Sequence, residues 1–494
     1  MRSLQKRQTR SLTLWCAGSL ITVTVIIGTV AVFPVQAGSR GISKNSSQTL
    51  APQQDDVGSL LRQAAVLLRT GKLDDAEPLV RRAIKADERS ADAHNLLGII
   101  LDQRRQNQAA EQEFLEALRL NPRTVSARAN LGVLLARTNR ADLAIDAFEL
   151  VLRDVPDHPQ ATLNLGFLYS ARGDYARALP LIERANRQAP NSYAVVLNLG
   201  IARYYLRQNA DAKIALEQAA GLSPADAAPL YYLGLVADAD GQAETAAEFW
   251  EKALKLRPKF PEANFMLGEV LRKNDRTEAA REYYERALSQ DETRFVHYAR
   301  LGGVYMLLNL YPEALEIFQR AATRFPEIAE AHYFVGIAAR GRASYDVAEA
   351  ALRKSLSLQP DNPDTLAQLG FIVGELGRYG EAEKLLRRAT ELSAKHFYAR
   401  YDLGRILVKT RRYEEAVPIL QAALGIRANN PGAHYQLFLA FSRLKRKDDA
   451  ERELSSFKEL EEARKNRRRD DDDAQNVEPA STSAPTSNST PSIP

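Results

Sequence analysis

The side chains that could carry chemistry are few and widely spaced in this sequence. The chain has six histidines and a single cysteine, Cys16. The histidines do not recur at the spacing that places two imidazoles on one helix face, as a zinc site would need. One cysteine allows neither an intramolecular disulfide nor a cysteine-based zinc site. We expect structural or surface roles for the histidines, which are His94, His158, His297, His332, His396 and His434.

Motifs for catalysis or cofactor binding are also absent from the sequence. It contains no glycine-rich phosphate loop, no HExxH segment and no GxSxG segment. Acidic residues are abundant, but on helices of this kind carboxylates mostly solvate an outer face. We therefore expect no cofactor, no metal and no enzymatic activity.

Length, composition and charge exclude several classes of protein. The 494 residues are 45% hydrophobic and 26% charged, which excludes a wholly disordered chain, a collagen and a polytopic membrane protein. The net charge is +5, but residues 1–56 carry +4 of it and residues 57–464 only +2. The basic run Arg464–Arg469 is followed at once by Asp470–Asp473. Without a continuous basic stripe, we expect no nucleic-acid partner.

The N-terminus has the pattern of an export signal. Four basic residues among the first ten precede an uncharged apolar run at residues 12–33. Small residues before Gly38 suit signal peptidase, which predicts a cut after Ala37. The run is also about long enough to span a bilayer, so an uncleaved anchor in the inner membrane is one alternative and a buried soluble helix another. Residues 1–37, as signal peptide or signal anchor, predict an exported protein in a periplasmic or other extracytoplasmic space.

A 34-residue repeat occupies most of the chain. Glycine recurs at a constant step of 34 residues from Gly98 to Gly404, with no insertion. Twelve residues after each position of this column stands an alanine, from Ala76 to Ala450. Units that begin at residue 57 and every 34 residues thereafter cover residues 57–464 in twelve copies. This self-similarity predicts one repeat array rather than several globular domains.

A pair of helices in each repeat explains the glycine and alanine columns. Each unit contains two apolar-periodic stretches of about a dozen residues, which predicts two amphipathic helices. Residues such as Gly71 and Asn139 stand between them and tolerate the left-handed conformation that ends a helix. The glycine and alanine columns predict a close crossing of the two helices, because a larger side chain would push the backbones apart. In seven units, a proline then ends the second helix.

This pattern closely resembles the tetratricopeptide-repeat family. The resemblance implies an all-α fold, a right-handed superhelical solenoid of about twelve helix-turn-helix repeats over residues 57–464, with a concave groove. The end units have Ala64 and Phe438 in the glycine column, as capping repeats are expected to differ. Residues 38–56 are polar and predict a flexible linker. Residues 465–494, a charge block followed by Ser, Thr and Pro, predict a disordered tail.

The resemblance also implies which residues line the groove. In the family these are chiefly the second, fifth, sixth, ninth, twelfth and thirteenth residues of each first helix. The sixth position holds Asn130, Asn164 and Asn198 in three consecutive units. An amide both donates and accepts, so this row is predicted to bind the backbone of an extended peptide. The alternative is that asparagine at this position is only a common feature of the family.

Farther along the chain the groove positions become aromatic. Aromatic side chains offer a large contact area to the apolar side chains of a partner, but the same residues could pack between neighbouring helices. Replacing the four tyrosines of the first two such units by alanine is expected to abolish partner capture without lowering helicity. The predicted partner-binding aromatics are Tyr204, Tyr205, Tyr231, Tyr232, Phe265, Tyr333 and Tyr401.

The sequence as a whole predicts a non-catalytic scaffold that binds protein or peptide partners in its groove. Family members with this layout often serve assembly of pili, secretion machines or surface polysaccharide in bacterial envelopes, and we expect a role of that kind. A sub-class clamps C-terminal carboxylates with basic side chains, but the fifth positions here are all non-basic. The alternatives are a self-assembling structural solenoid, whose mass would grow with concentration in light scattering, and a carbohydrate-binding solenoid.

Intact-mass measurement of the purified protein tests the predicted export signal. Cleavage after Ala37 removes the apolar run, so the mature chain is expected to begin at Gly38. A mass that includes Met1 would contradict the cut and favour the anchor.

Overall fold

The computed structural model describes residues 56–475, and every regular element in that range is an α-helix. Twenty-four helices form twelve consecutive hairpins there, which confirms the predicted all-α array of twelve repeats. The predicted signal segment, the linker as far as residue 55 and the tail beyond residue 475 lie outside the described residues. The helices are α1 (Val57–Arg69), α2 (Leu73–Ala86), α3 (Ala91–Gln103), α4 (Asn107–Leu120), α5 (Val125–Arg137), α6 (Ala141–Asp154), α7 (Pro159–Ala171), α8 (Tyr175–Gln188), α9 (Tyr193–Tyr205), α10 (Asn209–Leu222), α11 (Ala228–Ala239), α12 (Ala243–Leu256), α13 (Pro261–Lys273), α14 (Thr277–Gln290), α15 (Phe295–Leu307), α16 (Tyr311–Arg324), α17 (Ala329–Gly341), α18 (Tyr345–Leu358), α19 (Pro363–Glu375), α20 (Tyr379–Leu392), α21 (Phe397–Lys409), α22 (Tyr413–Ile426), α23 (Pro431–Arg443) and α24 (Lys447–Gln475).

Capping side chains explain where several first helices begin. The Asp56 carboxylate accepts hydrogen bonds from the backbone N–H groups of Gly58 and Ser59, at 3.2 Å each. Asn362 caps α19 in the same way through the N–H of Thr365, at 3.0 Å. A side-chain acceptor at this position satisfies N–H groups that have no partner inside the helix. The repeat frame is therefore set by local chemistry at the helix starts as well as by packing.

The turn inside each hairpin has the same backbone conformation in all twelve repeats. One residue per turn has a positive φ, and these residues lie 34 apart from Gly71 to Lys445. The sequence predicted a left-handed residue only where glycine or asparagine stands, yet Arg105 and Ala343 adopt it as well, at φ 62° and 57°. In the Arg105 turn, the N–H of Gln106 donates to the carbonyl of Leu101 at 2.9 Å, as in a Schellman motif.

The glycine column marks the closest approach of the two helices in a hairpin. A Cβ placed on Gly98 would lie 2.6 Å from Phe114, and one on Gly302 would overlap the ring of Phe318. The alanine column is buried throughout and is fully buried from Ala76 to Ala416. The close crossing predicted from the two columns is thereby confirmed. Without a Cβ on one helix, a large ring from the other fills the space.

The described chain divides into two compact units, one ending at Val270 and the other beginning at Leu271. They are called here the N-terminal unit and the C-terminal unit, and each is described by itself. In both, a second helix packs against the first helix of its own repeat and that of the next repeat. Polar side chains reinforce the junctions between repeats, as where Arg140 forms two hydrogen bonds with Glu111, at 2.7 and 2.8 Å.

The C-terminal end differs from the sequence prediction. Composition placed the start of a disordered tail at residue 465, but α24 continues to Gln475, so residues 465–475 are helical. A helix that is already nucleated gains one backbone hydrogen bond for each residue added, which favours extension over a break at the repeat boundary.

Substitutions at two adjacent glycines in α15 test the close crossing of the two helices in a hairpin. Gly302→Ala is expected to destabilise the protein by about 1–3 kcal/mol, because its Cβ would overlap Phe318. Gly303→Ala has open space around its Cβ and a helical backbone, so it is expected to stabilise by about 0.5–1 kcal/mol. Urea unfolding followed by circular dichroism measures both. Equal effects of the two changes would contradict the close crossing.

Candidate partner-binding surface

The first helices form the inner layer of each unit. First helices of consecutive repeats contact each other, as α5 contacts α7 and α19 contacts α21, and these contacts are more extensive than any between consecutive second helices. In a curved stack of hairpins, the layer whose members approach most closely lies on the inside of the curve. The groove positions implied by the family resemblance therefore belong to the inner face of each unit.

The predicted asparagine row is buried and already partly bonded. Asn130, Asn164 and Asn198 are 9%, 4% and 8% exposed. Asn130 donates from Nδ2 to Oδ1 of Asn95 at 3.1 Å. Asn164 and Asn198 each donate to the carbonyl four residues earlier in their own helix, at 2.8 Å. The Oδ1 of Asn164 receives no hydrogen bond from any described residue. Asn164 and Asn198 thus each have one amide N–H engaged within their own helix, and the Oδ1 of Asn164 is covered by its neighbours.

The inner face around these asparagines is almost free of charge. Over the inner positions of α5, α7, α9 and α11, the only charged residues are Arg137 and Asp238. Arg137 is paired with Asp102 of the preceding first helix. The leucines Leu163, Leu197 and Leu235 are partly exposed there. This surface, called here the neutral inner face, therefore offers apolar contacts and amide oxygens rather than ion pairs.

The four tyrosines at the inner positions of α9 and α11 form one aromatic cluster within the neutral inner face. Tyr204 lies 5.1 Å from Tyr205 and 6.5 Å from Tyr232, measured between ring centroids. Tyr231 lies 5.4 Å from Tyr232 and 5.0 Å from Phe260. Aromatic pairs at these distances stabilise by about 0.5–1.5 kcal/mol beyond their burial. The cluster thus links α9 to α11 and to the segment before α13.

Burial divides the four tyrosines into two pairs. Tyr231 and Tyr232 are 6% and 5% exposed and belong to the core, whereas Tyr204 and Tyr205 keep partial exposure. Burial raises the pKa of Tyr204 to about 12 and that of Tyr231 well above its ordinary range. The hydroxyls of Tyr204 and Tyr231 are therefore neutral at physiological pH. Alanine at all four positions would remove core packing, so only Tyr204 and Tyr205 can be changed to test binding alone.

The other predicted aromatic residues do not join this cluster. Phe265 is 7% exposed in the N-terminal unit. Tyr333 and Tyr401 lie in the C-terminal unit and are partly exposed on its inner face. Tyr401 stacks on Phe397, with ring centroids 5.9 Å apart and planes 4° apart. Of the predicted residues, Tyr333 and Tyr401 thus lie in the C-terminal unit and the others in the N-terminal unit.

The C-terminal unit carries a charged group of inner-face residues that the sequence prediction missed. The guanidinium carbons of Arg340 and Arg405 lie 3.8 and 4.9 Å from the ring centroid of Phe371. Arg405 donates from Nη1 to Glu375 at 2.6 Å, and its Nε lies 3.4 Å from Asp402. These five residues are called here the arginine–aspartate cluster. They occupy the sixth, ninth, twelfth and thirteenth positions of three consecutive first helices.

The described residues contain neither a group of candidate metal ligands nor a membrane-spanning helix. In that part of the chain, His, Cys, Asp and Glu form no group that could hold a metal ion. The histidines make ordinary polar contacts, as His94 does with Glu113 at 2.7 Å and His434 with Glu453 at 2.6 Å. Between residues 56 and 475 no helix is long and apolar enough to cross a membrane.

Comparison with known families identifies the repeat. The family described as tetratricopeptide repeat matches residues 61–123, 101–157, 131–193 and 197–259. The family described as the C-terminal domain of cilia and flagella-associated protein 70 matches residues 258–478. The chain is built of tetratricopeptide repeats. Tetratricopeptide-repeat scaffolds are generally non-catalytic and generally mediate protein–protein interaction.

Solved tetratricopeptide-repeat structures resemble this chain at low identity. The Pseudomonas aeruginosa pilF structure is 22% identical, covering 44% of this chain and 99% of its own, with a TM-score of 0.38. Yeast Tom70 is 14% identical, covering 79% and 96%, with a TM-score of 0.33. MamA is 27% identical, covering 33% and 95%, with a TM-score of 0.30. None of the curated proteins matches the sequence. At these values, the structural likenesses carry no argument about function.

A comparison of two tyrosines tests the division of the aromatic cluster. Tyr231→Ala is expected to destabilise the protein by about 3–5 kcal/mol, because it empties a buried site. Tyr205→Ala is expected to cost about 1 kcal/mol, chiefly the loss of its stack on Tyr175 at 4.4 Å. Urea unfolding measures both changes. A loss at Tyr205 as large as that at Tyr231 would mean that the two pairs share one structural role.

Proposed function

We propose that the protein is a non-catalytic scaffold whose neutral inner face binds extended, uncharged peptide segments of partner proteins. The absence of unpaired charge across the inner positions of four consecutive first helices carries this proposal. Burying a charged side chain against such a surface would cost free energy without a compensating ion pair. An uncharged peptide segment does not incur this cost of burying a charge, and it gains apolar contact with the inner face.

The polar groups of the neutral inner face suit the main chain of a peptide. An extended peptide presents N–H groups that need acceptors when the peptide leaves water. The Oδ1 of Asn198 is such an acceptor, because Asn198 keeps some exposure and only its Nδ2 is hydrogen-bonded. Leu163 and Leu197 lie one residue before Asn164 and Asn198 and are partly exposed. Apolar side chains of the peptide can therefore contact the leucines while its backbone faces the amides.

Export to the bacterial envelope is part of the same proposal. Its support is the sequence of residues 1–37, with a basic start, an apolar run and small residues before Gly38. A cleaved signal would release the repeats into the periplasm, and an uncleaved one would tether them to the inner membrane. A scaffold in either place would serve assembly or secretion at the envelope.

A charge placed on the neutral inner face tests the proposed function. Leu197→Glu is expected to weaken capture of the partner by roughly tenfold or more, because a partly buried carboxylate faces an apolar segment. Ile214→Glu is the matched control, since Ile214 is 64% exposed on the second helix α10. Cross-linking pull-down from cells, quantified for each variant at equal helicity, measures capture.

Equal capture by the Leu197 and Ile214 variants would contradict binding at the neutral inner face. Light scattering of the purified chain over a concentration series supplies an independent check. A mass that does not grow with concentration is expected of a scaffold, and a growing mass would favour the self-assembling solenoid.

A further inference from the structure

A cavity of about 400 Å³ lies between the second helices α14 and α16 of the C-terminal unit, on the side away from the inner layer. Its floor is apolar, because Leu288, Leu301 and Ile317 line it and are 3%, 2% and 7% exposed. Four exposed glutamates and the partly exposed Tyr305 surround this floor. The glutamates are Glu285, Glu292, Glu313 and Glu316. This cavity is called here the outer cleft.

The outer cleft carries an excess of negative charge. Glu285 is paired with Arg281, whose Nε lies 3.7 Å from its Oε1. Glu292 accepts a hydrogen bond from Arg320 at 2.9 Å. The other two glutamates form no ion pair with a described residue. Four carboxylates and two guanidinium groups leave a net charge of −2. A negative cleft with an apolar floor attracts a cationic group and disfavours an anionic one.

The N-terminal unit contains the same arrangement with a guanidinium in place. Tyr169 lies 136 residues, or four repeats, before Tyr305. Tyr169 donates to Glu149, and Tyr305 donates to the equivalent glutamate at 2.8 Å. The guanidinium carbon of Arg177 lies 4.3 Å from the ring centroid of Tyr169, and its Nη1 donates to the hydroxyl oxygen at 3.3 Å. A second carboxylate, that of Asp174, accepts from the same guanidinium at 2.6 Å.

The outer cleft has carboxylates where this other junction has the guanidinium. Glu313 stands in the position of Arg177, and Leu310 in that of Asp174. Burial raises the pKa of Tyr305 to about 12, and neighbouring carboxylates, Glu313 among them, add to the shift. Glu313 therefore lies close to the tyrosine. The neighbouring arginines of α14 and α16 stack on other rings. The tyrosine and its glutamate are thus kept, while the cation of the N-terminal junction is replaced by a further carboxylate.

We propose that the outer cleft binds an arginine side chain of a partner protein, its guanidinium lying against the ring of Tyr305 and accepted by the carboxylates of Glu313 and Glu316. A bound guanidinium would reproduce the contacts that Arg177 makes with Tyr169 in the N-terminal unit. This surface is formed by second helices, so the proposal does not depend on binding at the neutral inner face.

The chemistry of the outer cleft favours arginine over lysine. A guanidinium is planar and weakly hydrated, so it stacks on an aromatic ring and bonds two carboxylate oxygens at once. An ammonium group is a strongly hydrated point charge and loses more hydration on entering the cleft. The methylene groups of an arginine can contact the apolar floor while the charge remains at the rim.

Peptide selection on the full chain tests the proposal. A displayed library of random twelve-residue peptides is selected on wild type, with subtraction on Glu313→Arg, and enriched peptides are then measured as synthetic ligands with blocked ends. Glu313→Arg places a guanidinium of the chain itself where the N-terminal unit has Arg177, so enriched peptides are expected to bind it roughly tenfold or more weakly than wild type. Glu391→Arg makes the same charge change on α20, at a side chain that is 65% exposed and outside the outer cleft. This control is expected to alter affinity by less than about threefold.

Substitutions in the enriched peptides identify the bound group. Citrulline in place of one arginine keeps the shape and removes the charge, and is expected to lower affinity roughly tenfold or more. Lysine keeps the charge without the planar fork, and is expected to lower affinity several-fold. Tyr305→Leu is expected to reduce this preference for arginine over lysine, whereas Tyr305→Phe keeps it. Equal binding of arginine and citrulline peptides, equal binding of arginine and lysine peptides, or no enrichment over Glu313→Arg would each overturn the proposal.

Two further measurements separate the possible failures. The urea midpoint of Glu313→Arg is expected to exceed that of Glu313→Lys, which makes the same charge change at the same helix position, because only a guanidinium can lie over Tyr305 as Arg177 lies over Tyr169. A midpoint no higher than that of Glu313→Lys would show that the outer cleft does not favour a guanidinium and would overturn the proposal. Peptides that bind Glu313→Arg as tightly as wild type but lose affinity for Leu197→Glu would support the neutral inner face and remove the outer cleft as a binding surface.

Discussion

The structure depends on the close crossing of two helices at a residue that has no Cβ. In most repeats that residue is glycine, and a ring or a branched side chain from the second helix, such as Phe114 or Leu216, fills the space beside it. This contact sets the distance between the helices of a hairpin. The alanine column then lets the second helix lie flat against its neighbours, so the next hairpin is added in the same geometry. Because every hairpin is alike, the same positions of each first helix face inward.

The fold could be predicted because its determinants are local and repeated. A glycine column and an alanine column at one fixed period leave few ways to pack two amphipathic helices. The conformation of the turns could be predicted only in some of the repeats. Gly71 and Asn139 mark a left-handed turn by residue type, but Ala343 does not. At Ala343, the backbone hydrogen bonds that close the helix impose the left-handed conformation. The residue type itself therefore gives no indication of the turn. The helical conformation of residues 465–475 escaped prediction for a related reason, because the repeat period says nothing about how far a last helix extends.

The candidate site could be predicted only in part. Family resemblance indicates which positions face inward, but exposure depends on residues that come from other repeats. Tyr231 is in the core because Phe260 and Tyr232 cover it, whereas Tyr204 keeps partial exposure at the edge of the same cluster. Hydrogen bonding is equally hidden, since nothing in the sequence shows that Asn164 donates to its own helix. The arginine–aspartate cluster was missed because its members stand at different positions in three repeats and meet only when the repeats are stacked.

The left-handed turns lower the stability of the folded chain. Eight of the twelve turn residues with positive φ are not glycine. Each such residue is held about 1–2 kcal/mol above its preferred conformation, somewhat less for asparagine and aspartate. The array therefore carries backbone strain at most of its hairpins and remains folded because burial in each repeat exceeds that strain. Single glycine substitutions could relieve it one hairpin at a time, so the present sequence lies well below the stability that its own architecture allows.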